Sequence, residues 1–154
     1  MNNLPVTRSM VMTVEQLQTR IASSSFSSWL GLRVTGVFSN KVEFVVPWRN
    51  EFLGTAHRGR VHGGLLAALV DAGGGYTLMA HTGMRLSTVD LRVDYHRGCG
   101  FGNLRMEGNV VHLGRKLACV DLRVLDSGAM LLASGRGTYP NGWVASVAGE
   151  TKAP

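Results

Sequence analysis

Val61-His62-Gly63-Gly64-Leu65-Leu66-Ala67-Ala68-Leu69-Val70-Asp71 begins as a glycine turn and continues as an apolar helix carrying one carboxylate. The first residues of a helix leave their backbone N–H groups without intrahelical acceptors, at the positive end of the dipole. Glycine has no Cβ, so a substrate oxygen can approach those groups closely. Gly63 and Gly64 therefore suit an oxyanion; the plainer alternative is that they only make a tight turn and cap. From Gly64 to about Ala80 the chain is apolar nearly all round, which predicts a helix buried on most sides at the centre of the fold. An Asp71 buried there would lose its hydration, so it is paired, protonated or held ready for chemistry. We read it as the third; a cap or a salt bridge to a core arginine is the rival.

Gly73-Gly74-Gly75 oppose a long helix, since each glycine costs a helix interior about 1 kcal/mol relative to alanine. Either the helix stops at Ala72 or the glycines let another backbone come close, and the second reading is preferred. Asp71 lies eight residues beyond Gly63, about 12 Å along the axis at 1.5 Å per residue. One copy cannot bring both to one bond. An antiparallel pairing of the helix with its twin across a two-fold axis would set Asp71 of one copy against Gly63 of the other, giving two equivalent sites.

Toward the N-terminus, Thr13 with Gln16 is a capping-box pattern opening a helix whose apolar stripe is Leu17, Ile21, Phe26 and Leu30, ended by Gly31. Ser23-Ser24-Ser25 is a point where it can break. Leu32 to Phe38 and Val42 to Val46 read as a hairpin, and Trp48 to Arg60 as a loop. Toward the C-terminus, four strands are expected: Leu86 to His96, Gly102 to His112, Lys116 to Leu125 and Met130 to Tyr139. In the first, Val89, Leu91, Val93 and Tyr95 alternate with Thr88, Asp90, Arg92 and Asp94, the pattern of a half-buried antiparallel strand. The expected fold is α+β, an antiparallel sheet of about six strands wrapped on a long central helix. Its bounds are residues 13–140, between an N-terminal arm (1–12) and a C-terminal tail (141–154).

At 154 residues, 45% hydrophobic and 17% charged, the composition is that of one globular domain. No secretory pattern opens the chain and no apolar run approaches the roughly 18 residues of a membrane span, so a cytoplasmic location without membrane partners is expected. The net charge of +6 points to an anionic partner. Arg58/Arg60 and Arg115/Lys116 are pairs and the other basic residues are scattered, which favours a phosphate-bearing small molecule over nucleic acid. Cys99 and Cys119 form no metal-ligand spacing or disulfide framework and read as reduced thiols. No metal or redox cofactor is expected. His62 could orient the turn or act as a base. Thr88 could position water, or serve β-propensity alone.

The residues Gly59 to Asp71, Ser87 to Tyr95 and Gly114-Arg115-Lys116 resemble the hotdog-fold acyl-CoA thioesterases of the phenylacetate-pathway and hydroxybenzoyl-CoA type. The resemblance spans roughly Phe52 to Tyr139. It implies hydrolysis of an acyl-CoA to a free acid and CoA in a homodimer, often paired again into a tetramer. It implies Asp71 as nucleophile or general base, the Gly63 amide as oxyanion donor, His62 as support for that turn and Thr88 beside the attacking water. Substrate contacts implied more broadly are Gly64, His57, Arg97, Arg115 and Lys116. The chain departs from the pattern at Ala56, where a subset of the family has asparagine, and at Gly98, where proline is usual. Two competing readings are a non-catalytic acyl-CoA-binding module, which has no use for the acid, and a hotdog dehydratase of hydroxyacyl thioesters with His62 or His57 as base.

Overall fold

The structure, a computed structural model, describes residues 12–55 and 58–141. The His57 and Ala56 expectations, and nearly all of both terminal segments, lie outside these. Met12 is described, and its N–H donates to the Ala80 carbonyl with the side chain buried, so the last residue of the expected arm belongs to the core.

The N-terminal helix forms with both arms of its capping box, Gln16 N–H to Thr13 Oγ1 and Thr13 N–H to Gln16 Oε1. It does break at the serines: α1 spans Val14–Ala22 and α2 Ser25–Leu30, the second capped by the Ser24 side chain. The hairpin follows as β1 (Arg33–Val37) and β2 (Lys41–Val46). The segment expected to be a loop holds a 3-10 turn at Asn50–Phe52 and a small hairpin, β3 (Leu53–Thr55) with β4 (Arg60–Val61). Strands this short carry too few residues for periodicity to register.

Helix α3 runs unbroken from Gly63 to Thr82. Strands β5 (Asp90–Tyr95), β6 (Leu104–Leu113), β7 (Leu117–Leu125) and β8 (Leu131–Pro140) follow. Six strands form one antiparallel sheet in the order β1-β2-β6-β7-β8-β5. Its inner face closes on α3 through Phe44, Met106, Val120, Leu122 and Ala133, all buried. Its outer face carries ion pairs between strands, Arg123 to Glu107 and Arg136 to Asp121. Exposed pairs of this kind contribute at most about 1 kcal/mol each, so the apolar inner face holds the sheet on the helix.

Two expectations need correction. Within the chain, Gly73 admits side chains of the sheet rather than a backbone: a Cβ there would lie 2.5 Å from Met106 Cε and 2.9 Å from Leu122 Cδ1, while Gly75 faces open space with nothing within 4 Å. And α3 is not covered on most sides along its whole length. Leu66, Leu69, Val70 and most residues from Gly73 on are buried, but His62, Gly64 and Asp71 are exposed, because no described element lies over that face. Asp71 is therefore not a buried acid within this single chain.

Candidate active site

The start of α3 is held from three directions. His62 N–H donates to the Phe52 carbonyl, and Val61 N–H to the Cys99 carbonyl. Tyr95 Oη donates to the Gly63 carbonyl at 3.2 Å. His62 is the N-cap, its Nδ1 accepting the Gly64 N–H at 2.9 Å. That bond makes Nδ1 the unprotonated nitrogen and Nε2 the carrier of the ring proton. Of the two glycines, Gly64 thus has its N–H engaged by His62. The Gly63 N–H has no acceptor among the described residues, leaving the first-turn donor that suits an oxyanion.

Asp71 lies on the open face of the same helix, and the chain returns to it. Gly83, at φ +76°, ends α3 with its N–H on the Met79 carbonyl. Buried Leu86 then anchors the segment before β5, and Val89 N–H bonds the Thr138 carbonyl. Between those anchors the Thr88 hydroxyl donates to Asp71 Oδ1 at 2.6 Å. Thr88 precedes the strand rather than lying on its polar face, so its contact with the helix comes from a loop and not from strand alternation. The alternation itself holds only in the middle. Leu91 and Val93 are half-buried, but Val89 and Tyr95 are 67% and 57% exposed, since among the described residues β5 is an edge strand paired only with β8.

A hollow of about 450 Å³ opens beside Asp71, lined by Thr88, Gly75, Tyr76, Met79, Leu86 and Phe26 among others. Gly75 faces it with nothing within 4 Å of where a Cβ would stand. There the Ser27 and Tyr76 hydroxyls bond each other at 2.8 Å. A neighbouring hollow of about 260 Å³ lies over His62, Gly64 and Ala68. Phe26 is common to both hollows, and with the stacked Trp29 forms an exposed aromatic wall on α2. A larger depression of about 630 Å³ on the outer face of the sheet is lined by Arg92, Asp94, Asp121 and Arg136, whose charges pair with one another. It offers no unengaged acid. No group of three or more His, Cys, Asp or Glu among the described residues is placed to hold a metal.

The basic residues expected to meet phosphates do not gather in one place. Arg97 follows β5, where its N–H bonds the Leu132 carbonyl, near the Tyr95 and Gly63 end. Arg115 and Lys116 form the β6–β7 turn at the far end of β8, where the Lys116 carbonyl accepts from Asn141 N–H. Sequence reasoning missed Tyr95 as a prop for the helix start, Gly75, Tyr76 and Ser27 in the hollow, and Arg85, exposed at its edge. None carries a signal along the chain. Each acquires its place only when distant segments pack together, Ser27 of α2 on Tyr76 of α3, and Arg85 and Tyr95 from the return after α3.

Residues 58–133 match the family model described as the thioesterase superfamily. A solved X-ray structure of a protein from that superfamily is 38% identical, with 82% of this chain and 96% of that one covered and a TM-score of 0.79. The chain belongs to the thioesterase superfamily. Its architecture is the hotdog fold, as expected. The thioesterase HI1161 of Haemophilus influenzae superposes with a TM-score of 0.77 at 20% identity, over 90% of this chain and 97% of that one. That likeness is one of fold. A Thermoplasma acidophilum protein provisionally named an esterase is 25% identical over 126 residues, 81% of this chain and 94% of its own. Family and names point to hydrolysis of a thioester. No helix among the described residues is long and apolar enough to cross a membrane.

Proposed function

We propose that the chain is an acyl-CoA thioesterase of the phenylacetate-pathway and hydroxybenzoyl-CoA type, working as a homodimer, paired again into a dimer of dimers, in the cytoplasm. The observation that carries this reading is the state of Asp71: a solvent-open carboxylate, held at Oδ1 by Thr88, beside a hollow walled by apolar Phe26, Met79 and Leu86 together with hydroxyl side chains and Arg85. A carboxylate restrained through one oxygen keeps the other for a substrate or a water molecule.

In this reading the acyl group enters the hollow and its carbonyl oxygen meets the Gly63 N–H of the second copy. That amide supports the negative charge that grows on the oxygen as the carbonyl carbon becomes tetrahedral. As general base, Asp71 takes a proton from water while the hydroxyl oxygen bonds the carbonyl carbon; the C–S bond then breaks and the CoA thiolate leaves with a proton returned to it. As nucleophile, Asp71 Oδ2 itself forms an anhydride with release of the thiolate, and water then cleaves the anhydride. His62 keeps the Gly63 turn in shape in either case. Arg97, at the Tyr95 and Gly63 end, supplies positive charge toward the CoA phosphates, and Arg115 and Lys116, at the far end of β8, reach a CoA only from another copy.

The test is a panel of short, medium and aromatic acyl-CoAs with thiol release as the readout. Asp71→Asn is expected to lose about 10²-fold or more in kcat while remaining folded, the scale of a positioned acid or base. Wild-type turnover by a folded Asp71→Asn would end this reading. Tight acyl-CoA binding by the wild-type chain without turnover would favour a binding module instead.

A further inference from the structure

Gly74 lies on α3 one turn beyond Asp71. A Cβ there would run into the phenol oxygen of Tyr139, and a Cβ on Gly137 of β8 would stand 2.5 Å from the same atom. Two glycines on facing elements thus leave a slot for one hydroxyl. The Tyr139 side chain is fully buried, and its Oη makes no hydrogen bond of ordinary geometry among the described residues. A buried hydroxyl without a partner weakens a fold, and phenylalanine would fill the same space without that cost. Packing alone therefore does not account for the oxygen.

Its surroundings do. The bond from Val89 N–H to the Thr138 carbonyl ties the residue after Thr88 to the residue before Tyr139. Burial first, and then the nearby Asp71 carboxylate, push the Tyr139 phenol up to about 12, while the Thr88 hydroxyl pulls it down. The phenol keeps its proton at neutral pH, and the Gly74 slot, one turn from Asp71, together with the Val89–Thr138 bond sets it on the side of the Thr88–Asp71 pair. While the phenol keeps its proton, Thr88 gives its one hydrogen to Asp71 Oδ1 and its oxygen is an acceptor toward Tyr139; only toward an ionised phenolate would that hydrogen turn to Tyr139, the sense in which Thr88 pulls it down.

We propose that Tyr139 is a positioning residue for the reaction, its O–H donating to Thr88 Oγ1 in the working enzyme. The chain Tyr139 to Thr88 to Asp71 then has one direction. It pins the Thr88 hydrogen on Oδ1 and leaves Oδ2 as the oxygen that meets substrate or water. Long contacts of this kind tighten when substrate is bound. Tyr139 itself touches neither. The inference rests on Asp71 being the working acid, as proposed above.

The experiment compares Tyr139→Phe, Thr88→Val, the double variant and Asp71→Asn. Tyr139→Phe is expected to melt at or above the wild-type temperature and to keep its KM while kcat falls about fivefold or more, the scale of one lost hydrogen bond. In the Thr88→Val background the same substitution should leave kcat within about twofold, because the link is already cut. Urea unfolding of the four combinations gives a readout that needs no turnover, and the two substitutions should be non-additive there too. An unaltered kcat in Tyr139→Phe beside an inactive Asp71→Asn overturns the positioning role alone. Additive losses in both cycles overturn it as well. Wild-type turnover by Asp71→Asn sinks the proposed function and this role together.

Discussion

Tyr139 also sets a limit on the molecule at high pH. Burial and the Asp71 charge hold its phenol up to about 12, against an ordinary value of 10.0. As pH rises past the ordinary value the unfolded chain releases this proton and the folded chain does not, so the unfolded state binds fewer protons and stability falls. The contribution is whole below pH 10 and is lost by about pH 12, amounting to about 2–3 kcal/mol. Urea unfolding of the wild type and Tyr139→Phe between pH 9 and 12 measures it: the wild type should lose stability more steeply, and parallel curves would contradict the burial. Cys99 acts in the same sense. Burial first, then Asp126, push its thiol up, so less of it is thiolate at a given pH than of an open cysteine, and slow reaction with thiol reagents follows.

At the scale of the element, α3 is governed by its two ends. The first end presents the Gly63 amide because His62 caps it. The last end matters for the acid although it lies more than ten residues away. Gly83 takes φ +76°, turning the chain so that Leu86 and Thr88 come back along the helix. A side chain at that angle is strained by about 1–2 kcal/mol. Gly83→Ala is therefore expected to lower the unfolding free energy by about that amount. It should also weaken turnover through the displaced Thr88. Urea titration and thiol release on the same preparation test both, and a full-strength enzyme with the expected instability would show that the return segment tolerates the change. His81 reinforces this end, its ring nitrogens meeting the carbonyls of Thr77 and Phe38 at 2.7 and 2.9 Å.

At the scale of the molecule, the distance between Gly63 and Asp71 along one continuous helix becomes the argument for two copies. A helix of this length separates them by about 12 Å, and no described segment of the same chain bends it. β5 ends the sheet with one edge unpaired among the described residues and with exposed Val89 and Tyr95, the kind of edge that invites another strand. Complementation tests a shared site directly. Gly63→Pro removes the amide hydrogen at the first helical position, where proline is well tolerated, and Asp71→Asn removes the acid. Each alone should be nearly inactive. Mixed and allowed to exchange subunits, half the dimers pair the two variants and each of these holds one intact site, so about a quarter of wild-type activity should return. No recovery, with exchange demonstrated, would place both groups in one chain or rule out one of them.

The helix with its glycine start, the strands after Ala80 and the α+β arrangement were legible in residue order, because burial imposes periods of 3.6 and 2 that survive as pattern. Asp71, Gly63 and His62 stood out for the same reason, as residue types out of keeping with their stretch. The exposure of Asp71, the seat of Thr88 in a loop, the His62 claim on the Gly64 amide and the slot around Tyr139 were not legible. Each depends on which segments, distant along the chain, come to lie side by side, and a contact made across 17 residues between Asp71 and Thr88 leaves no spacing for a pattern to register. Periodicity reports which face of an element is apolar; only packing decides what lies against it.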